Sequence, residues 1–134
     1  MTEHWISYKI KYKMKQKQTW INLAPDLVRQ RVIIEGTTKK IVKPPEIDNY
    51  LRDIADVTKM EIINGPYSYS AHEDGYGGWI HWKTSGAHFY SYPTHPPLFT
   101  VDTYTCKPFN SEELVKFTKE YFDSKKIVWK EIEI

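Results

Sequence analysis

Bulky and basic residues alternate along residues 5–14, with Tyr8, Ile10, Tyr12 and Met14 set against Lys9, Lys11 and Lys13. That is the period of a strand with one solvated face. Residues 19–29 stay ambiguous: 22–26 (NLAPD) reads as a turn, and Pro25 equally suits the opening of a short helix. Residues 31–35 and 39–42 predict a hairpin around Gly36-Thr37-Thr38. After Pro44-Pro45 the pattern changes. Ile47, Tyr50, Leu51, Ile54, Ala55 and Thr58 recur at helical spacing, with Glu46 and Asp48 suited to a first turn. A strand is expected over 60–63, ended by Asn64-Gly65-Pro66, then a polar and aromatic strand-plus-loop over 67–74. Gly75, Gly77 and Gly78 lead into a strand over 79–84. The next strand, 87–92, is broken by Pro93, Pro96 and Pro97, and 99–106 alternates again. A second helix is predicted over 111–125. Asn110 and Glu113 have capping-box spacing, Leu114, Phe117, Tyr121 and Phe122 form the apolar stripe, and Lys125 and Lys126 suit the negative end. A last strand covers 127–134, with Val128, Lys130, Ile132 and Ile134 on one side.

Strands flanking two amphipathic helices predict an α+β, two-layer sandwich: one mainly antiparallel sheet with both helices on one face. At 134 residues the chain has room for a single domain, 1–134, with a real core. Aromatic residues are 15%, with Tyr 10 and Trp 5, which reads first as a small core filled with large rings. The net charge of +2 asks for no nucleic-acid partner, and the Lys9–Lys17 run is the wet face of a strand. One cysteine excludes an intramolecular disulfide framework and a Cys-rich metal site. The histidines, His81, His88 and His95 included, lack the spacing of a zinc motif, so no metal is expected. With neither a long apolar N-terminal region nor a run of membrane-spanning length, no membrane partner is expected and the expected location is cytoplasmic.

The candidate chemistry lies between Gly75 and Phe122. Ser85 follows a strand and precedes Gly86, where the backbone bends without a Cβ clash. A hydroxyl there can attack the carbonyl carbon of Thr84 and shift the acyl group from nitrogen to oxygen. Loss of the Cα proton then eliminates the ester, and the dehydroalanine hydrolyses to a pyruvoyl group. Thr84-Ser85-Gly86 also reads as a plain polar hairpin turn. Cys106, the lone cysteine, reads as a small buried strand residue or as an acid.

Gly75-Tyr76-Gly77-Gly78, Ser85, Tyr92-Pro93 and the run from Asp102 to Cys106, in that order, resemble the prokaryotic pyruvoyl-dependent S-adenosylmethionine decarboxylases. The resemblance implies self-cleavage between Thr84 and Ser85 and a pyruvoyl cofactor made from Ser85. It implies decarboxylation of S-adenosylmethionine in polyamine (spermidine) biosynthesis, with the substrate amine held as a Schiff base. It places Cys106 on the family's catalytic acid, gives Tyr92 and Asp102 substrate-binding positions, and implies a homodimer. Departures are visible. Thr84 stands where the family has Glu, Gly86 where it has a His, and Tyr90 at the processing His, with His88 two residues earlier on the same strand face. His88 or Tyr90 is therefore expected to assist elimination. The Thr94-His95-Pro96-Pro97 loop also departs from the family, which leaves room for another amine substrate such as arginine or ornithine. A non-processing relative that binds a ligand or partner without catalysis is the alternative class.

Overall fold

The computed structural model describes residues 19–134; the strand expected over 5–14 lies outside them. Six strands form one antiparallel sheet: β1 (Gln30–Thr37), β2 (Ile62–Ser70), β3 (Tyr76–Trp82), β4 (Ser85–Tyr92), β5 (Leu98–Thr105) and β6 (Ile127–Ile132). Their order across the sheet is β2-β3-β4-β5-β1-β6. Helices α1 (Pro44–Thr58) and α2 (Ser111–Tyr121) pack on one face of it, as the expected α+β sandwich requires.

The helices form for legible reasons. Pro44 takes the first position of α1, where its fixed φ is an advantage and its missing N–H no loss. The apolar positions of α1 are the buried ones: Ile47, Tyr50, Leu51, Ile54, Ala55 and Thr58. The helix stops at Lys59, whose left-handed backbone (φ 59) sends its N–H back to Ala55 and Asp56. Asn110 caps α2 by accepting the Glu113 N–H at 3.1 Å. α2 ends at Tyr121 rather than reaching 125, because Asp123 turns left-handed (φ 48) and Ser124 N–H returns to the Lys119 carbonyl. This break tucks Phe122 into the core.

Tyr50 is the hub of that core. Its ring lies 4.7 Å from Phe122, 5.4 Å from Tyr121 and 5.6 Å from Phe89, centroid to centroid. Its hydroxyl shares a 2.7 Å hydrogen bond with Thr118, so the buried polar tip is satisfied. Burial raises the Tyr50 pKa well above the ordinary phenol value, against the smaller opposing effect of the Thr118 hydrogen bond.

Three local expectations are corrected. Residues 31–42 are not a hairpin: β1 pairs with β5 and β6, and 39–42 run as a connection into α1. There Thr38 N–H goes to the Pro97 carbonyl and Val42 N–H to Ser91 Oγ, so this stretch finds its partners elsewhere. Asn64-Gly65-Pro66 does not end β2. The strand runs on through register shifts at 62–67, which an edge strand tolerates. Gly77 and Gly78 lie inside β3, not before it.

Candidate functional site

The β3–β4 hairpin builds the site. Trp82 pairs with Ser85 across a two-residue link, Lys83-Thr84, and Ser85 pairs on its other side with Thr105 of β5. Ser85 therefore opens β4 rather than sitting in the turn itself. Strand alternation directs Ser85, Ala87, Phe89 and Ser91 to the helix-covered face and Gly86, His88, Tyr90 and Tyr92 to the other. The Ser85 hydroxyl is buried (6% exposed), 3.1 Å from Thr84 Oγ1 and 3.7 Å from Met60 Sδ. The Thr84 carbonyl, the group a Ser85 attack needs, accepts the backbone N–H of Cys106 at 3.1 Å. The indole nitrogen of Trp82, the residue paired with Ser85, is buried with no partner.

The structure brings Thr84, Ser85 and Cys106 to one end of the sheet. Cys106 itself is exposed and free, which answers the question of whether it is a buried strand residue. It does not bring His88 or Tyr90 to the Ser85 hydroxyl. His88 lies three residues along β4, about 10 Å at strand rise, on the opposite face, paired with Asp102 and Trp79. Tyr90 is farther along, and its hydroxyl donates to the Asp74 carbonyl at 2.9 Å. Burial, with added push from Tyr69 and Asp74, raises its pKa, so it stays a donor at neutral pH. Tyr92 stands at the far end of β4, paired with Leu98. Its pKa is raised by partial burial first, then by Glu35 and Asp102.

Sequence reasoning weighed His81 only as a metal ligand. The hairpin pairs it with Gly86, and its ring edge (Cδ2) lies 3.7 Å from where a Cβ on Gly86 would be, as does Tyr104 Cε1. His81 is thus the imidazole nearest the Ser85-Gly86 backbone, supplied from the neighbouring strand. The two-residue link between β3 and β4 was the signal that could have found it. His81 also lines a concavity of about 650 Å³ on the helix-free face, together with Arg31, Trp79, His88, Asp102 and Tyr104. The Trp79 and His81 rings are 4.6 Å apart, and the Arg31 guanidinium sits 5.7 Å above Tyr104. The lining carries one carboxylate, Asp102, and one guanidinium, Arg31, beside aromatic faces, which suits an organic ligand that bears charges of both signs. Among the described residues no group of three or more His, Cys, Asp or Glu is placed to hold a metal ion. No helix among them is long and apolar enough to cross a membrane.

The model of the S-adenosylmethionine decarboxylase family matches residues 32–133. The chain belongs to that family. Its fold resembles the crystal structure of the adenosylmethionine decarboxylase from Aquifex aeolicus VF5, at 19% identity and a TM-score of 0.66, over 80% of this chain and 90% of that one. Among curated proteins none matches the chain. The matched span includes both Ser85 and Cys106.

Proposed function

We propose that this chain is the proenzyme of a pyruvoyl-dependent decarboxylase, a single domain that cuts itself between Thr84 and Ser85. Its substrate is S-adenosylmethionine, in polyamine biosynthesis, and it works as a homodimer. The observation that carries this reading is the Cys106 N–H on the Thr84 carbonyl. A hydrogen bond there draws electrons from the carbonyl carbon and stabilises the oxyanion that forms when Ser85 Oγ adds to it. The hydroxyl opens β4 and the donor lies one residue past its neighbour β5, where Ser85 pairs with Thr105, so the pairing holds both in position before reaction.

The processing step balances within the chain. Ser85 Oγ bonds to the Thr84 carbonyl carbon, and the bond from that carbon to Ser85 N breaks, leaving an ester and a free amine. A base takes the Ser85 Cα proton, and the Thr84 carboxylate leaves with the Oγ electron pair. Water then replaces the nitrogen as ammonia and leaves a ketone at residue 85. The nearness of His81 to Gly86 supports it as the base or as a residue that positions the base. His88 paired with Asp102 has the alternative claim from the resemblance. The residues present fit the group: a serine able to form it, a polarised carbonyl before it, and an exposed thiol one strand away. When formed, the pyruvoyl carbonyl supplies an electron sink for decarboxylation of an amine substrate. Cys106 then holds the proton that the decarboxylated carbon needs; an unperturbed thiol, pKa about 8.5, is largely protonated near neutral pH. Asp102 and the Trp79 face hold the cationic end of the substrate, since Arg31 already covers Tyr104, and S-adenosylmethionine, arginine and ornithine all carry one.

One observation favours a second reading, a non-processing binding relative. The Ser85 hydroxyl faces the core side and is engaged with Thr84 Oγ1, while His81, His88 and Tyr90 face the other way. Processing kinetics of His81→Ala and His88→Ala, followed by denaturing gel, and CO₂ release from labelled S-adenosylmethionine, arginine and ornithine test the proposal. At least tenfold slower cleavage in His81→Ala is expected, with CO₂ from S-adenosylmethionine. Cleavage at wild-type rate in both variants would remove the imidazole role. Release of CO₂ from none of the three, by fully cleaved protein, would overturn the activity.

A further inference from the structure

The end of the sheet away from Ser85 carries a separate feature. Seven strand steps, about 23 Å, separate Ser85 from Tyr92, where β4 meets the loop that carries His95. At that end three segments meet: 37–43, 93–97 and 123–126. Thr37 N–H bonds to the Lys126 carbonyl and Thr38 N–H to the Pro97 carbonyl, so the segments are tied together by backbone. They enclose two adjoining concavities of about 520 and 670 Å³ that share Lys39, His95 and Pro97. The first also takes in Lys125 and Lys126, the second Lys40 and Lys43.

Five lysines line this groove against two carboxylates, Asp123 and Glu46. The surrounding chain makes that concentration notable. Residues 19–134 carry 14 Lys and Arg against 16 Asp and Glu, so the rest of the described molecule is acidic. The fold does not need such a cluster. All five lysines are exposed along the groove, and Lys43 sits at the N-cap of α1, a position that favours anions and where no side chain caps the helix. A bound anion would meet both. Prolines and Ile41 give the groove an apolar wall, and its walls are concave rather than a flat basic face, which suits a compact ligand better than a long polymer.

We infer that this groove binds a multiply phosphorylated small molecule of the nucleoside triphosphate class, with Lys39 central and Lys125, Lys126, Lys40 and Lys43 to either side. Lysine ammonium groups are suited to phosphate as mobile point charges. The site lies at the opposite end of the sheet from Ser85, although its 94–97 loop is the one the resemblance links to substrate choice.

Isothermal titration of the full chain with ATP and with sodium tripolyphosphate at 100 mM NaCl tests it. The expected result is saturable binding of one ligand per chain, at least tenfold weaker in Lys39→Glu/Lys126→Glu, and weakened in the wild type when salt is raised to 300 mM. The same charge change at Lys116 and Lys119 on α2 should leave affinity within twofold. Should the double variant fold poorly by circular dichroism, Lys39→Gln and Lys125→Gln, each expected to lose at least threefold, replace it. Unchanged affinity in the groove variants would overturn the proposal and leave binding to the Lys9–Lys17 run. So would RNA binding that strengthens with oligonucleotide length while ATP and tripolyphosphate give no heat.

Discussion

Gly75, just before β3, and Gly77 and Gly78 within it should separate sharply when each is replaced by alanine. Gly75 has φ +111 and ψ −150, a region almost closed to side-chain-bearing residues, which costs on the order of 1–3 kcal/mol. An added Cβ would also overlap the Ser91 carbonyl oxygen, a backbone atom of β4 that cannot swing aside. Relieving the overlap means loosening the Tyr76–Ser91 pairing, so the total loss should reach roughly 3–5 kcal/mol. At Gly78 the backbone conformation is ordinary. There a Cβ would lie 2.6 Å from Ile47 Cγ2 and 3.3 Å from Leu51 Cδ1, both fully buried on α1. That is overpacking, about 1–3 kcal/mol. At Gly77 the Cβ meets only the outer end of the exposed Tyr69 ring, which can rotate away. Its change should stay within about 1 kcal/mol of zero, helped by lower entropy of the unfolded chain. Urea denaturation followed by circular dichroism reads the series. With a slope of about 1–3 kcal/mol per molar for a small protein, Gly75→Ala should lower the midpoint by at least about 1 M and Gly77→Ala scarcely move it. A midpoint for Gly75→Ala within error of wild type, or Gly77→Ala the worst of the three, would refute the placement of these glycines.

Two other substitutions probe the core and the site. Stability should fall as pH rises past about 10, the unfolded phenol value, because buried Tyr50 keeps its proton in the fold while the unfolded chain releases it. The slope is about 1.4 kcal/mol per pH unit for this group; below pH 10 its contribution is complete. Tyr50→Phe should flatten that alkaline slope and cost roughly 1 kcal/mol at neutral pH through the lost Thr118 bond; an unchanged slope would argue against burial of the hydroxyl. Cys106→Ala keeps the backbone N–H on Thr84, so cleavage should proceed while decarboxylation falls by about 100-fold or more. Equal loss of both, in a variant with wild-type melting temperature, would assign the thiol to processing instead.

The sequence was most readable where neighbours in the chain are neighbours in space. α1 follows from its apolar spacing and Pro44, and the hairpin of β3 and β4 follows from alternation and a short link. Residues 31–42 misled because the short run Lys39-Lys40-Ile41-Val42 after Gly36-Thr37-Thr38 looks like a return strand, whereas the partners of β1 come from 98–105 and 127–132. Nothing local encodes such long-range pairing. Ser85, Cys106 and Asp102 were singled out from order and spacing, and the fold sets Cys106, one residue past β5, against Thr84 beside Ser85. His81 was not, since its nearness to Gly86 depends on register, and a register shift of one residue would send the ring to the other face.

The central claim is that Ser85 cuts the chain before itself. Intact mass under denaturing conditions, for wild type and Ser85→Ala after prolonged incubation, measures this directly. The account predicts two wild-type fragments, residues 1–84 and 85–134, the second without a free amino terminus, and one uncut chain for Ser85→Ala. A wild-type chain that stays whole, or a Ser85→Ala chain that is cut at the same place, would contradict it.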